Sequence, residues 1–335
     1  MIKHITTVLS FSAVLAVLPV QAAPTTWDMP NEYPATSIQG KGDQFFAEQL
    51  QKNTKGQIKI AHHFGGALGL KSKDQLDAVG DGMVEVANTF ISPLGGIHPI
   101  FLLSSLPLLT SNSAEARQLF EAAKPEYDRV LHKYNQKLLY PSPWPSSGLW
   151  GKTAMVDHNA IDHLKMRTYD VNGTKVFRAA GSSPLQLSWA DIVPQLSTGG
   201  INSVLTSIEA GLSSSFNDYS THFTALNYDS TINLVTINLD TWENLSLELQ
   251  QAVLDAAAKT EDHVWANIDK VVQQNYIEAR SRGVTVIEEI PTAFREELQA
   301  LAAPVIADWT RKMGESGKKI LAQYSEGREP LVAAQ

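Results

Sequence analysis

The stretch Pro143–Leu212 decides the fold: PWPSSGLWGK at 143–152, HLKMRTYD at 163–170, KVFRAAGSSPLQLSWADIVPQL at 175–196 and STGGINSVLTSIEAGL at 197–212. Runs of β-branched or apolar residues end in Gly, Ser or Thr and give way to helix-patterned segments. That is the grammar of successive βα units, in which ligands collect at the carboxyl ends of the strands. Arg167 stands at such an end, after Leu164 and Met166, with Tyr169 beyond it. A permanently charged planar fork at a strand mouth is suited to gripping a carboxylate through two parallel hydrogen bonds. Without further context, the same arginine reads as a surface or ion-paired residue.

Outward from this stretch the chain is punctuated in both directions. Trp27–Met29 predicts a short strand, Ser37 a cap for a helix with Phe45, Phe46 and Leu50 on one face, and Ile58–Ile60 a half-buried strand. His62 and His63 are neighbours on a strand, pointing to opposite faces, so they do not make a shared metal site. Gly65–Gly69 lacks the lysine and spacing of a phosphate loop and reads as a turn. Helices follow at about 72–79 and 113–134, strands at about 84–88 and 137–140, and a β-rich run at 231–238. From Leu247 to Arg282 there is neither Gly nor Pro. At 1.5 Å per residue that makes a rod of about 50 Å, longer than one small domain. A last helix starts after Pro291, and Pro304 is expected to kink it.

Composition narrows the class. The chain has 335 residues, a formal net charge of −8 and no cysteine. Residues 1–22 have the form of an export signal: Lys3, then an apolar Val8–Val20 too short to span a bilayer, then Val20-Gln21-Ala22 before the cleavage point. Loss of the cysteine-free leader, with Lys3 and no acid, takes the formal charge to −9. The absence of cysteine excludes a lipidated N-terminal Cys, disulfides, thiolate metal sites and cysteine nucleophiles. An acidic exported protein without lipid anchor or membrane span fits the periplasm and fits neither nucleic acid nor anionic lipid as partner. No cofactor or metal is expected. The hydrolase elbow G-x-S-x-G and the zinc motif H-E-x-x-H are both missing, so the reading is of a binding protein rather than an enzyme.

The motifs of the opening stretch carry a resemblance. LKMR at 164–167, followed by Asp191, Ile192, Val193, Leu196 and Gly199 and then Ile201 and Asn202, resembles the signature region of TRAP-transporter extracytoplasmic solute-binding proteins. The likeness extends more thinly from about Thr26 to Val286. It implies an α/β fold of two lobes, a periplasmic-binding-protein-like clamshell with a long helix spanning both. It also implies an arginine at position 167 that takes a ligand carboxylate, and a membrane permease as partner. Two positions depart from the pattern. Ser203-Val204-Leu205-Thr206-Ser207 replaces a common G-Q-E-N-P, and Trp150 stands where many members carry a second arginine. The usual C4-dicarboxylate or sialic acid ligands are thereby disfavoured.

These readings combine into one expectation. An N-terminal lobe of residues 23–145 plus about 230–260 faces a second lobe of 146–229 plus about 261–330, with crossings near 141–150, 225–230 and within the long helix. Arg167 anchors an organic acid. Trp150 forms a flat apolar wall that selects an aromatic or apolar monocarboxylate, and Thr206 and Ser207 offer hydroxyls. Tyr33 and Asn88 are first-lobe candidates at strand ends, and Trp144 and Tyr169 are further aromatic candidates. A ligand sensor for a receptor kinase shares every one of these features.

Overall fold

The computed structural model describes residues 24–327; the expected export signal lies outside the described residues. Among the described residues, eleven strands form sheets of two, three and six strands, the first two joined by a single bridge into one assembly. β1 (Thr25–Pro30) and β2 (Ile58–His63) pair in parallel. β3 (Val86–Phe90) and β4 (Gln136–Pro143) flank β10 (Ile232–Asn238), both antiparallel to it. A parallel bridge from Asn31 to Asn88 sets β1 beside β3, so the first assembly runs β2–β1–β3–β10–β4. The second sheet takes β5 (Ser147–Gly151), β6 (Lys165–Thr168), β7 (Ser183–Gln186), β8 (Ser203–Ser207), β9 (His222–Thr224) and β11 (Thr285–Ile287) in the order β11–β9–β5–β8–β6–β7.

Local chemistry explains most boundaries. Ser37 caps the helix Ile38–Asn53 by accepting from the Gly40 N–H, and Asp170 caps Val171–Ala179 by accepting from Gly173. Asn112, not the neighbouring serine, caps Ser113–Lys133. The long helix Leu247–Ser281 begins at Ser246 and stops just before Gly283, whose φ of 81° suits glycine. Its buried stripe of Val253, Ala256, Val264, Ile268 and Ala279 packs first on Ile38–Asn53 and β4, then on Ile208–Ser213 and β11. One rigid element thus braces both sheets.

The chain passes between the sheets through 144–146, through 225–231 and along the long helix. Such connections restrict relative motion to opening and closing. The helix Thr292–Met313 continues through Pro304 as one element, with Leu298, Ala302, Val305 and Trp309 buried on either side of it. The last described helix, Glu315–Glu326, packs on Ser113–Lys133 of the first half.

Trp150 is tightly packed in the second half. A Cβ added at Gly211 would lie 2.4 Å from Cε2 of its indole. Gly211→Ala should therefore overpack this core and cost about 1–3 kcal/mol, read as a shifted urea midpoint with unchanged slope.

Candidate functional site

The site is built around β6. Its central residues Met166, Arg167 and Thr168 are buried, and Arg167 is only 2% exposed. The Arg167 Nε donates to the Leu187 carbonyl at 3.1 Å and Nη1 to the Leu205 carbonyl at 3.2 Å. Those bonds use two of its five N–H groups. Its Cζ lies 5.4 Å from the Tyr169 ring centroid and 5.7 Å from that of Trp189, in cation–π range. Among the described residues no carboxylate forms an ion pair with it. Burial pulls the guanidinium's pKa down, while Tyr33, Tyr169, Glu32 and Asp170 act the other way. It stays charged, as an arginine does in any protein interior.

An outer chamber of about 240 Å³ is lined by Glu32, Tyr33, Phe90, Arg167, Gln186 and Trp189, among others. It shares Tyr33, Phe90, Arg167, Tyr169 and Trp189 with an inner space of about 10 Å³ that also touches Trp144, Ser147, Thr206 and Ser207. The inner space has room for about one water, so the two halves are shut tightly over Arg167. The rings interlock: Tyr33 lies 4.6 Å from Trp144 and 5.1 Å from Trp189, and Phe90 lies 5.5 Å from Tyr169, by centroids. A groove of about 250 Å³ opens on the other side of Trp144 against the long helix. Its lining charge is Asp269, so it offers an anion no cation.

Polar contacts cross from one half to the other around this space. Glu209 Oε1, from the helix after β8, accepts from the Ile38 N–H at the start of a first-half helix at 2.8 Å. Lys71 Nζ donates to Asp191 at 2.8 Å. Glu32 accepts from the Ser72 N–H and hydroxyl and lies 3.5 Å from the Ala190 N–H.

The sequence candidates divide clearly. Arg167, Tyr169, Tyr33, Trp144, Thr206 and Ser207 come together at the inner space. Ser207 is partly committed there: its hydroxyl caps the next helix through the Ala210 N–H, and its carbonyl accepts from Trp150. Trp150 does not face the cavity. It is 0% exposed and packs against Phe216, Phe223 and Gly211, because its side of β5 faces the helix that follows β8. Asn88 does not line the cavity either, since β3 lies between β1 and β10 and its amide is satisfied by Asp43 and Asn233. The flat wall expected of Trp150 is instead supplied by Trp189, with Phe90 opposite. Neither was a candidate from sequence, although Trp189 lies three residues beyond the end of β7 and so near a strand's carboxyl end.

Beneath the cavity lies a set of buried acids. Tyr169 donates its hydroxyl proton to Asp229, and Ser147 lies 3.3 Å from the same phenol oxygen. Burial pushes Asp229 up to about 7, against the lowering bonds from Tyr169 and Ser147. Burial likewise raises Asp43 to about 7, Glu209 to about 7 and Asp170 to about 6. Burial also lifts the Tyr33 phenol far above its ordinary range.

Two α/β halves, tied by several crossings of the chain and shut over one buried cation, make a clamshell solute receptor. Residues 31–313 match the family model of bacterial extracellular solute-binding protein, family 7, and the chain belongs to that family, the solute-binding proteins of TRAP transporters. The Bordetella pertussis extracytoplasmic solute receptor DctP7, which binds pyroglutamic acid, is similar with a TM-score of 0.86 and 28% identity, over 90% of this chain and 99% of that one. A marine-metagenome TRAP solute-binding protein specific for pyroglutamate gives 0.86 and 26% over the same shares. The ectoine/5-hydroxyectoine-binding periplasmic protein UehA of Ruegeria pomeroyi is 26% identical over 330 residues, 94% of this chain and 95% of that one. Among the described residues no helix is long and apolar enough to cross a membrane.

The raised acids set a pH dependence with a definite sign. A carboxyl whose pKa is higher folded than unfolded binds its proton more tightly in the native state. Its stabilising contribution is complete below about pH 4 and is lost as pH rises through the folded value. For Asp43, Glu209 and Asp229 that loss spreads upward from about pH 4 and is nearly complete by about 7, and for Asp170 by about 6. His62 and His98, which burial lowers, act in the opposite direction. The discriminating measurement is therefore a comparison. Melting temperature should fall less between pH 5 and pH 8 in Asp229→Asn than in the parent, and an equal or steeper fall would contradict the assignment.

Proposed function

We propose that the receptor captures a compact monocarboxylate with a flat or cyclic body, gripping its carboxylate with Arg167 and delivering it to a TRAP permease. The observation that carries this reading is the buried Arg167 without an acid partner. An unpaired buried charge costs several kcal/mol, and a ligand carboxylate is the group that removes the cost. The unused N–H groups of the fork suit a bidentate carboxylate. Tyr33, Phe90, Trp144 and Trp189 give a ring of the ligand aromatic faces to lie against, and Thr206 adds a hydroxyl.

A dicarboxylate fits less well. Beyond Arg167 the inner space has no second cation, and its second charge would rest against indole and phenol. Two of the similar proteins bind pyroglutamate and a third binds ectoine. Each of those compounds is a small ring bearing one carboxylate. Glu32 and the exposed Lys73 at the outer chamber belong to the entrance rather than to the anion contact.

Calorimetry on Arg167→Gln tests the anchor. Loss of one partner of a buried pair costs about 3–5 kcal/mol, so affinity for any bound acid should fall more than a hundredfold while the melt stays close to the parent's. Arg167→Lys should recover only part, lacking the fork. In a thermal-shift panel, pyroglutamate, ectoine, benzoate and phenylacetate should outrank succinate, malate and fumarate. Larger shifts from the dicarboxylates would remove the monocarboxylate reading even with Arg167 confirmed. Small-angle scattering should show a smaller radius of gyration with ligand than without, because the contacts from Glu209 and Lys71 form only when the halves meet.

A further inference from the structure

Behind the aromatic wall runs a line of buried side chains that the ligand does not touch. Asp43, on the helix Ile38–Asn53, accepts from the Asn31 amide at Oδ2 and from the Asn88 amide at Oδ1, each at 2.6 Å. Asn31 in turn accepts the Tyr33 backbone N–H at Oδ1, 2.8 Å away. Asn88 Oδ1 accepts from the Asn233 amide at 2.8 Å, and Asn233 Oδ1 accepts from the indole N–H of Trp144 at 2.7 Å. Asn31, Asp43, Asn88 and Asn233 are each no more than 1% exposed. The line links three strands and a helix of the first half to two of the rings around Arg167.

We infer that Asp43 is a positioning residue for the ligand site, fixing the orientation of Trp144 and the placement of Tyr33 through a one-way chain of amide hydrogen bonds. The inference rests on the proposal that the cavity at Arg167 holds the ligand. Direction is what makes the chain informative. An amide has one accepting end and one donating end, so each must be turned consistently with its neighbours. Asp43 is the only member able to accept on both sides. In either protonation state it keeps an oxygen lone pair toward each neighbouring amide, and an asparagine cannot. With N–H₂ facing N–H₂ at one end, either Asn31 or Asn88 must turn over. If Asn88 turns, it presents a donor to the Asn233 donor, and the bond that holds the Trp144 indole loses its support. A buried polar network with one member unsatisfied rearranges, because leaving a donor unpaired in the interior is costly.

The placement gives Trp144 its importance. It stands on the three-residue passage from β4 to β5, so the same side chain is a wall of the cavity and part of a crossing between the halves. Fixing its indole N–H to β10 ties the wall to the first sheet.

The test uses Asp43→Asn in the full exported chain, with two readouts. The indole N–H resonance of Trp144, assigned by its disappearance in Trp144→Phe, should move in ligand-free Asp43→Asn. Pyroglutamate serves as the binding probe in a double-mutant cycle. Asp43→Asn should weaken it by about tenfold in the parent, and by less than about threefold when Trp144→Phe has already removed the indole bond. A role confined to general stability would weaken binding equally in both backgrounds, and that result overturns the inference. So does an unmoved Trp144 resonance. Should Asp43→Asn fail to fold, Asn233→Asp keeps the acceptor for Trp144 but cannot donate to Asn88, and the same resonance and cycle apply. If no acid in the panel binds the parent, the monocarboxylate reading fails, while the ligand-free resonance still decides whether Asp43 orients Trp144.

Discussion

A full positive charge buried without a carboxylate is the constraint from which the rest of this protein follows. Water would solvate the Arg167 guanidinium far better than two carbonyls and two aromatic faces do. The protein holds it there because β6 is locked between β7 and β8 and the two carbonyls come from residues just after β7 and within β8. Sheet register and guanidinium orientation are therefore one problem with one solution. The surrounding acids are consistent with this economy. Asp170 and Asp229 lie close beneath Tyr169 but accept their hydrogen bonds from a helix start and a phenol, leaving the cation without an ion-pair partner.

The halves meet through groups of a different kind. Glu209 places an oxygen on the first backbone N–H of a sixteen-residue helix, where the helix dipole favours negative charge. Lys71 and Asp191, both partly exposed, add a solvent-screened pair. Neither contact involves the ligand, so both assist closure of the receptor whatever it holds. On the proposed function, the aromatic box discriminates between ligands, and the cross-contacts set how readily the halves shut.

Much of this was legible in the sequence. Arg167 was singled out by the family likeness of the LKMR and D-I-V…L…G positions, because an arginine at a strand end taken alone reads as a surface or ion-paired residue. The long helix was readable because thirty-odd residues without Gly or Pro leave little alternative. Trp150 was misplaced for a physical reason. Whether a strand residue faces a cavity or a helix depends on the parity of a five-residue strand and on what lies behind it, here Gly211. Asn88 was misplaced because strand membership says nothing of the amide chain it enters, whose members are far apart in sequence. Trp189 was passed over because an isolated tryptophan usually plugs a core. It gains a role only through its distance to Arg167.

The smallness of the inner space has a kinetic meaning. On the proposed function, the way out for an acid held at Arg167 runs through the outer chamber, which is lined by both halves. Escape must then wait for the halves to part, and parting is governed by Glu209, Lys71 and the flexing of a helix some fifty ångströms long. Residence time becomes a property of the receptor's own opening rather than of each cargo. Ligands of differing affinity would separate mainly by how well they hold the door shut, and a permease that pulls the halves apart would release all of them alike.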